Sequence, residues 1–287
     1  MKLRSNSPLK TSPNKHCGLF CKTGHFALID LDGIATLSNM ESYTVIYQFK
    51  EYANEYGGTL ATNSRHYFSI GRTIDANDAT GTQFYNYAST GIGIMGTNTT
   101  NGQGYTLQGN SYAVSQEKGW NLAIVTRGKM DGTSDNVQTK IVSSQLGMSQ
   151  IDDTQTIAGD NWGDIGGEEG YITVGARQTA NSGSADSFTS ALQIKVTKLA
   201  IYCNASDDSA AYLSDADVIK AISFQEKGFG NSVVSYSEAG VAQPQHEWLF
   251  NDPTATSIAD TGATGGLTLT FTGSPYLGWV GDSFLRS

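Results

Sequence analysis

The chain contains few cysteines, few prolines and few charged residues, and each scarcity excludes a class of protein. Its three cysteines, Cys17, Cys21 and Cys203, are too few and odd in number for a disulfide framework, so at least one is unpaired within the chain. This usage indicates that the sequence was not selected for an oxidising compartment. No run approaches 18 apolar residues, so we expect no transmembrane helix and no membrane insertion.

Charged residues make up 16% of the 287 residues, and the net charge is −9. Basic residues are concentrated only in the first 22 positions, so we expect no nucleic-acid partner. The stretch from Met1 to Pro13 is polar and lacks the apolar segment of a signal peptide. This pattern fits a protein that leaves its cell by lysis inside a virus particle, and it also fits a mature chain numbered after processing.

Glycine, threonine, serine and asparagine are abundant instead, with 33 glycines against 5 prolines. Such a composition is typical of many short strands joined by polar turns, in one large all-β domain or two small ones. The hydrophobic share of 38% is sufficient for a packed core and argues against disorder.

Alternation of apolar and polar residues predicts the strands. They are Phe26–Leu31, Tyr43–Phe49, Thr59–Thr62, Tyr67–Gly71, Trp120–Arg127, Gln138–Ser143, Tyr171–Arg177 and Leu192–Tyr202, with shorter runs at Phe84–Tyr87 and Ile92–Met95. The apolar phase changes from even to odd positions within Leu192–Tyr202, which predicts a β-bulge near Thr197–Lys198. An N-cap at Ser214 and a terminal Gly228 predict one short α-helix around 215–227.

Residues 1–24 have the composition of an arm, with Ser-Pro steps that disfavour a helix. Two interpretations stay open for this segment: a frayed terminus, or an arm that orders against a neighbouring subunit.

The segment Glu247–Gly273 contains a short apolar strand around Trp248, an Asp-Thr-Gly turn at Asp260 to Gly262, and a strand that alternates leucine or phenylalanine with threonine. Together with the runs WNLAIVTR, YITVGAR and KLAIYCNASDDSAAYLSDADVIKAI, it resembles the laminin-G-like, concanavalin A-like jelly-roll superfamily. The resemblance implies an antiparallel β-sandwich (jelly roll) over residues 25–287. The family's opening strand pair comes last here, so we predict that 247–273 completes the sandwich by pairing near Phe26–Phe49 or Leu192–Tyr202.

The motifs of catalysis are missing from the sequence. A glucanase of this superfamily would need an E-x-D-x-x-E strand, and the chain has none. Ser-His-Asp, P-loop and dinucleotide-binding patterns are also missing. We therefore expect no enzyme, no catalytic residue and no required cofactor.

Metal sites are weakly indicated. Related folds often bind calcium, and the resemblance therefore makes Asp152, Asp153 and Asp160 candidate ligands, although acidic loops are commonly solvated turns. The group His16, Cys17, Cys21 and His25 has unusual spacing for zinc and is also explained as a free-thiol arm.

Aromatic residues in loops suggest glycan binding, because a ring offers a sugar a flat apolar face while amides and carboxylates fix its hydroxyls. Trp162, with Asn161 and Asp164, is the first candidate, and Tyr85 with Tyr87 is the second. Alternatively, Trp162 closes the end of the sandwich as a core residue.

We therefore expect a non-enzymatic virion protein, structural or decorating, or one that contacts host-surface glycans. Its arm would bind other virion proteins, and the chain would form a homo-oligomer. The alternatives are a secreted or cell-surface carbohydrate-binding module of a bacterium, and a glycoside hydrolase with an unrecognised site.

Overall fold

The computed structural model describes a set of ranges that together hold the strands of the fold. These are residues 16–20, 24–30, 43–51, 65–70, 82–87, 91–97, 104–108, 121–129, 135–143, 153–157, 171–178, 188–189, 194–203, 236–250, 252, 255–273 and 276–279. The predicted strand at Thr59–Thr62 and the predicted helix around 215–227 lie outside these ranges.

Most described residues lie in strands, as the composition predicts. The strands are β1 (His16–Phe20), β2 (Phe26–Asp30), β3 (Tyr43–Glu51), β4 (Arg65–Ile70), β5 (Thr82–Tyr87), β6 (Gly91–Thr97), β7 (Gly104–Gln108), β8 (Asn121–Lys129), β9 (Asp135–Ser143), β10 (Asp153–Ile157), β11 (Tyr171–Val174), β12 (Arg177–Gln178), β13 (Phe188–Thr189), β14 (Ile194–Cys203), β15 (His246–Leu249), β16 (Ser257–Ala259), β17 (Thr268–Thr272) and β18 (Tyr276–Trp279). One short helix, α1 (Tyr236–Ala239), precedes β15.

The strands form two large sheets. Sheet A has the order β10-β9-β8-β3-β14-β1-β18, and β15 also pairs with β14. Sheet B has the order β16-β17-β2-β11-β4-β5-β6-β7, and β12 with β13 forms a separate two-stranded ribbon. Neighbouring strands in both sheets are antiparallel. The fold class is therefore the predicted antiparallel β-sandwich.

One hydrophobic core lies between the sheets. Sheet A contributes Tyr47, Phe49 and Leu199, and sheet B contributes Phe68 and Ile172, all of them fully buried. The rings of Tyr47 and Phe68 come from opposite sheets, and their centroids are 5.2 Å apart. Burial of aromatic and branched side chains from both sheets is the main stabilising term of such a sandwich.

The predicted bulge in β14 is confirmed. The register between β14 and β3 shifts between Val196 and Lys198, so Thr197 is the extra residue. Because of this shift, Ile194 and Val196 before the bulge and Leu199 and Ile201 after it all reach the core.

The segment 247–273 pairs with both predicted regions. β15 pairs with β14, with Leu199 opposite Trp248, and β17 pairs with β2, with Thr270 opposite Leu28. Leu269 is buried in the core, and Thr270 is exposed, as the alternation predicts. The segment thus contributes one strand, β15, to sheet A and two strands, β16 and β17, to sheet B.

The two outermost strands of the chain are also neighbours. β1 lies between β14 and β18, with His16 opposite Trp279. Sheet A therefore includes five residues that the sequence analysis assigned to the arm 1–24. The division into an arm and one sandwich over 25–287 otherwise stays a prediction.

Candidate functional site

The outer face of sheet A, directed away from the shared core, is covered at its centre. Thr44, Ile46 and Gln48 alternate with core residues along β3 and are nevertheless fully buried, and Ile124 of β8 is 1% exposed. Thr197 Oγ1 in the bulge donates to Gln48 Oε1 at 2.6 Å. These positions offer a ligand no open surface.

The outer face of sheet B is covered where β11 and β4 lie side by side. Thr173 of β11 and Ser69 of β4 are fully buried, and their hydroxyl oxygens are 2.5 Å apart. Gly175 has a φ of 81° and turns the chain over this face, so that Thr173 Oγ1 donates to the Ala176 carbonyl at 2.6 Å. The ribbon β12–β13 follows at once, and β12 contacts β4. The ribbon thus borders the part of sheet B that begins at β4.

At one end of sheet B, the exposed outer-face positions carry threonine, and the neighbouring aromatic residue Phe26 is buried against Tyr171 and Ala176. Thr268 and Thr270 of β17 are exposed, and Leu28 on the neighbouring β2 is half-buried. Thr270 Oγ1 donates to the Leu28 carbonyl at 3.1 Å. Hydroxyl groups alone give a sugar hydrogen bonds but no apolar platform, so this edge is the weaker candidate.

At the other end of sheet B, two predicted glycan-binding residues occupy positions on the same face of β5. Phe84 of β5 is in register with the core residue Phe68, so alternation assigns Tyr85 and Tyr87 to the outer face. The same alternation assigns the apolar positions of β6 and β7, Ile92, Ile94 and Leu107, to the core face. The sequence pattern and the register therefore assign the same residues to the core face.

Glycines occupy the positions opposite both tyrosines. Tyr85 is in register with Gly93 of β6, and Tyr87 is in register with Gly91. Beyond Gly93, the same row reaches Gln108 of β7. Glycine within a strand is found at bulges, at bends and where a ligand or another backbone approaches closely. The row combines aromatic, glycine and amide positions.

These strands define a continuous candidate surface, which we call the β5–β7 face. It consists of the outer-face positions Gln83, Tyr85, Tyr87, Gly91, Gly93, Met95, Thr97, Gly104, Thr106 and Gln108. Aromatic residues suit the apolar face of a sugar ring, and amide and hydroxyl groups suit its hydroxyls. These residue types can contact a sugar.

The charged residues of the β14–β15 pair make internal contacts instead. Lys198 Nζ donates to the Tyr236 hydroxyl at 2.5 Å and forms an ion pair with Glu247, and Tyr236 also donates to Glu247. Burial lowers the pKa of the Lys198 ammonium, while the adjacent Glu247 carboxylate opposes this shift. This group fastens α1 to the outer face of sheet A.

The Asp-Thr-Gly turn is a second internal polar group. Asp260 Oδ1 accepts from the backbone N–H groups of Glu247 and Gly262, each at 2.8 Å. Asp260 Oδ2 lies 2.5 Å from His246 Nδ1, and both side chains are almost completely buried. A carboxylate only accepts hydrogen bonds, so Nδ1 of His246 donates. The group holds the turn against the edge of β15.

The first predicted glycan site and most of the calcium candidates lie outside the described residues. These are Asn161, Trp162 and Asp164, together with Asp152 and Asp160. Asp153 begins β10, where it is in register with Thr139 of β9. Within the ranges that the structure describes, no group of three or more histidine, cysteine or acidic residues could hold a metal ion.

The positions that accompany Tyr85 and Tyr87 on this face differ in how far the sequence predicts them. Gln83 was available from the alternation of β5 itself, since it precedes Tyr85 by two residues. The opposite glycines and Gln108 depend on the register across three strands, which the sequence alone leaves open.

Comparison with known proteins gives similarity of fold only. No protein-family model and no curated protein matches the chain. The carbohydrate-binding module CBM40 of the Ruminococcus gnavus IT-sialidase, solved with α2,3-sialyllactose, is 15% identical, with a TM-score of 0.44 over 72% of this chain and 98% of that chain. The enzymatically active domain of tailspike protein 2 from bacteriophage CBA120 is 15% identical, with a TM-score of 0.42 over 72% of this chain and 27% of that chain.

The sialidase NanB of Streptococcus pneumoniae is similar at 14% identity and a TM-score of 0.41, over 70% of this chain and 26% of that chain. We assign no residue of this chain a role through these similarities. Among the described residues, the structure contains no helix long and apolar enough to cross a membrane.

Proposed function

We propose that this protein is a non-enzymatic glycan-binding β-sandwich and that the β5–β7 face is its binding surface. The observation that carries the proposal is the register that sets Tyr85 opposite Gly93 and Tyr87 opposite Gly91 on one outer face. The covered centres of both sheets support this choice of surface, because buried residues there leave no equivalent platform at those positions.

The distribution of charge supports a role in binding rather than catalysis. A retaining glycosidase needs two carboxyl groups about 5 Å apart, and no position of the β5–β7 face is an Asp or a Glu. The carboxylates of Glu247 and Asp260, in turn, are engaged by Lys198, Tyr236 and His246. A measured turnover of any polysaccharide would contradict this part of the proposal.

We place the protein on a virus particle, where the part of the arm outside β1 binds other virion proteins and the sandwich contacts host-surface glycans as part of a homo-oligomer. The polar composition, rich in glycine and threonine, supports this setting. Mass spectrometry of purified particles tests it: the protein should be present in stoichiometric amounts. Its recovery only from the surface of bacterial cells would instead favour a bacterial carbohydrate-binding module.

The binding surface is tested with the full chain on a glycan array, followed by titration calorimetry with any glycan that binds. We expect Tyr85→Ala and Tyr87→Ala each to weaken binding by about tenfold or more, about 1.4 kcal/mol, as truncation of an anchoring aromatic residue does. Tyr85→Phe keeps the ring and should retain most of the affinity.

Thr270→Ala, at the opposite end of sheet B, is the matched surface control and should leave binding unchanged. Thermal unfolding of each variant checks that the fold is intact. Binding that survives both alanine variants at positions 85 and 87, but is lost in Trp162→Ala, would move the site to the loop that holds Asn161 and Asp164.

A further inference from the structure

The β5–β7 face has an unusual charge character for an acidic protein. Its outer-face positions are glutamine, tyrosine, glycine, methionine and threonine, without a single Asp, Glu, Lys or Arg. The nearest ionisable neighbour in the row is His66 of β4, which is in register with Tyr85. A surface that recognises a carboxylate or sulfate normally supplies arginine or lysine as partners, and these positions supply neither. The bordering ribbon begins with Arg177, on a strand that contacts β4.

The net charge of the whole chain also disfavours an anionic ligand. A net charge of −9 repels an anionic ligand at long range, and it slows the ligand's approach to any face that lacks compensating basic residues. A neutral ligand is not subject to this repulsion, and it gains its affinity from ring contacts and uncharged hydrogen bonds.

The spacing of the two tyrosines adds a constraint on ligand size. Residues two apart on a strand are separated by about 6.5–7 Å along it, so Tyr85 and Tyr87 define two adjacent contact positions on β5. The glycines at both opposite positions continue this line on β6. A single sugar ring contacts one such position, whereas consecutive units of a chain contact both.

From these observations we infer that the ligand class is an uncharged oligosaccharide of at least two consecutive sugar units, rather than a sialylated, uronate or sulfated glycan. The inference rests on the proposed glycan-binding function and specifies the ligand of the same face.

The test compares neutral and anionic oligosaccharides of matched length with the full chain, at about 0.01 M and about 1 M salt, between which the Debye length falls from about 30 Å to about 3 Å. We expect binding to neutral oligosaccharides that changes less than about twofold between the two salt concentrations. The disaccharide should bind about tenfold or more tightly than the monosaccharide, and Tyr85→Ala and Tyr87→Ala should each remove most of this gain.

Three outcomes separate the inference from the proposed function. Preference for an anionic glycan that is lost in Tyr85→Ala would overturn the inference and leave the function in place. Equal affinity for monosaccharide and disaccharide at the same face would overturn the two-unit requirement. Binding that ignores both tyrosine substitutions, or no binding to any glycan, would overturn the function and the inference together.

Discussion

Cys203 ends β14 in a buried position, and its environment determines its chemistry. Burial, with a smaller contribution from the negative charge of Asp260, raises the pKa of the thiol to about 12. A thiol with this pKa is protonated at neutral pH, and the thiolate is the reactive form. Cys203 is therefore a packing residue and not a nucleophile.

We predict that Cys203 makes the fold sensitive to alkali. In the unfolded chain the thiol ionises near pH 9, whereas the buried thiol keeps its proton until about pH 12, so rising pH favours the unfolded state. Linkage gives a loss of about 1 kcal/mol in the free energy of unfolding between about pH 9 and 10.

Cys203→Ala removes this thiol, so the variant is the control for its titration. Urea unfolding of both proteins at the two pH values gives the measurement. The stability advantage of the natural chain over the variant should shrink by about 1 kcal/mol from the lower to the higher pH. A constant difference would show that the thiol does not couple to folding in this range.

At the scale of single elements, the strands that the sequence predicts best are those with an uninterrupted residue pattern. Tyr43, Val45, Tyr47 and Phe49 alternate without a break and all reach the core. The bulge at Thr197 was also predictable, because the phase of the apolar residues changes within one strand. The local sequence pattern is sufficient to predict a strand where the environment of each residue follows from its neighbours in sequence.

Some features that depend on the exact pairing of distant strands were not predictable, although the pairing of 247–273 with β14 and β2 was. The strand predicted over Tyr171–Arg177 ends at Val174, because Gly175 has a positive φ and turns the chain over Thr173. A second bulge shifts the register between His66 and Phe68 and brings Tyr67 and Phe68, adjacent in sequence, into the same core. The candidate site shares this limit, since its glycines become opposite partners of the tyrosines only through the pairing of β5 with β6.

The Asp-Thr-Gly turn illustrates how a short motif stabilises an edge. Thr261 N donates to the Glu247 carbonyl at 2.7 Å, and Thr264 N donates to the Gln245 carbonyl at 3.0 Å. The turn thus pairs with the backbone at the start of β15, which protects that part of the edge from pairing with another chain.

We predict that Gly262 is required for this contact. A Cβ at this position would lie 2.3 Å from the Gln245 carbonyl oxygen, so Gly262→Ala must push the turn away from β15. We expect a loss of about 3 kcal/mol or more in the free energy of unfolding, measured by urea denaturation.

Gly266→Ala is the matched control in the same segment. Gly266 has a φ of +87°, and a Cβ there would meet no atom within 4 Å, so only backbone strain of about 1–2 kcal/mol applies. Equal losses for the two variants would mean that the close approach at Gly262 is not what the motif requires.

At the scale of the whole molecule, the C-terminal segment holds the two sheets together. β15 covers part of the edge of β14 in sheet A, and β16 and β17 extend sheet B beyond β2. The fully buried Trp248 of β15 and Leu269 of β17 meet in the same core. The sequence predicted that this segment pairs with strands of the sandwich, and β15 pairs with β14 while β17 pairs with β2.

We therefore predict that a chain ending at Ala242 will not fold cooperatively. Loss of the residues after Ala242 exposes the β14 edge opposite β15 and the β2 edge opposite β17, and it removes Trp248 and Phe250 from the core. Open edges with apolar faces favour aggregation. We expect insoluble protein, or a soluble fraction without a sigmoidal thermal transition, measured by light scattering and circular dichroism.

A chain ending at Trp279 is the control, because it retains every described strand. It should stay soluble and unfold in one transition close to that of the full chain. If the chain ending at Ala242 were equally soluble and cooperative, strands β15 to β18 would be an appendage on a sandwich that is stable without them. In that case both truncated chains would fold, although only the chain ending at Trp279 retains the strand pairs β14–β15 and β2–β17.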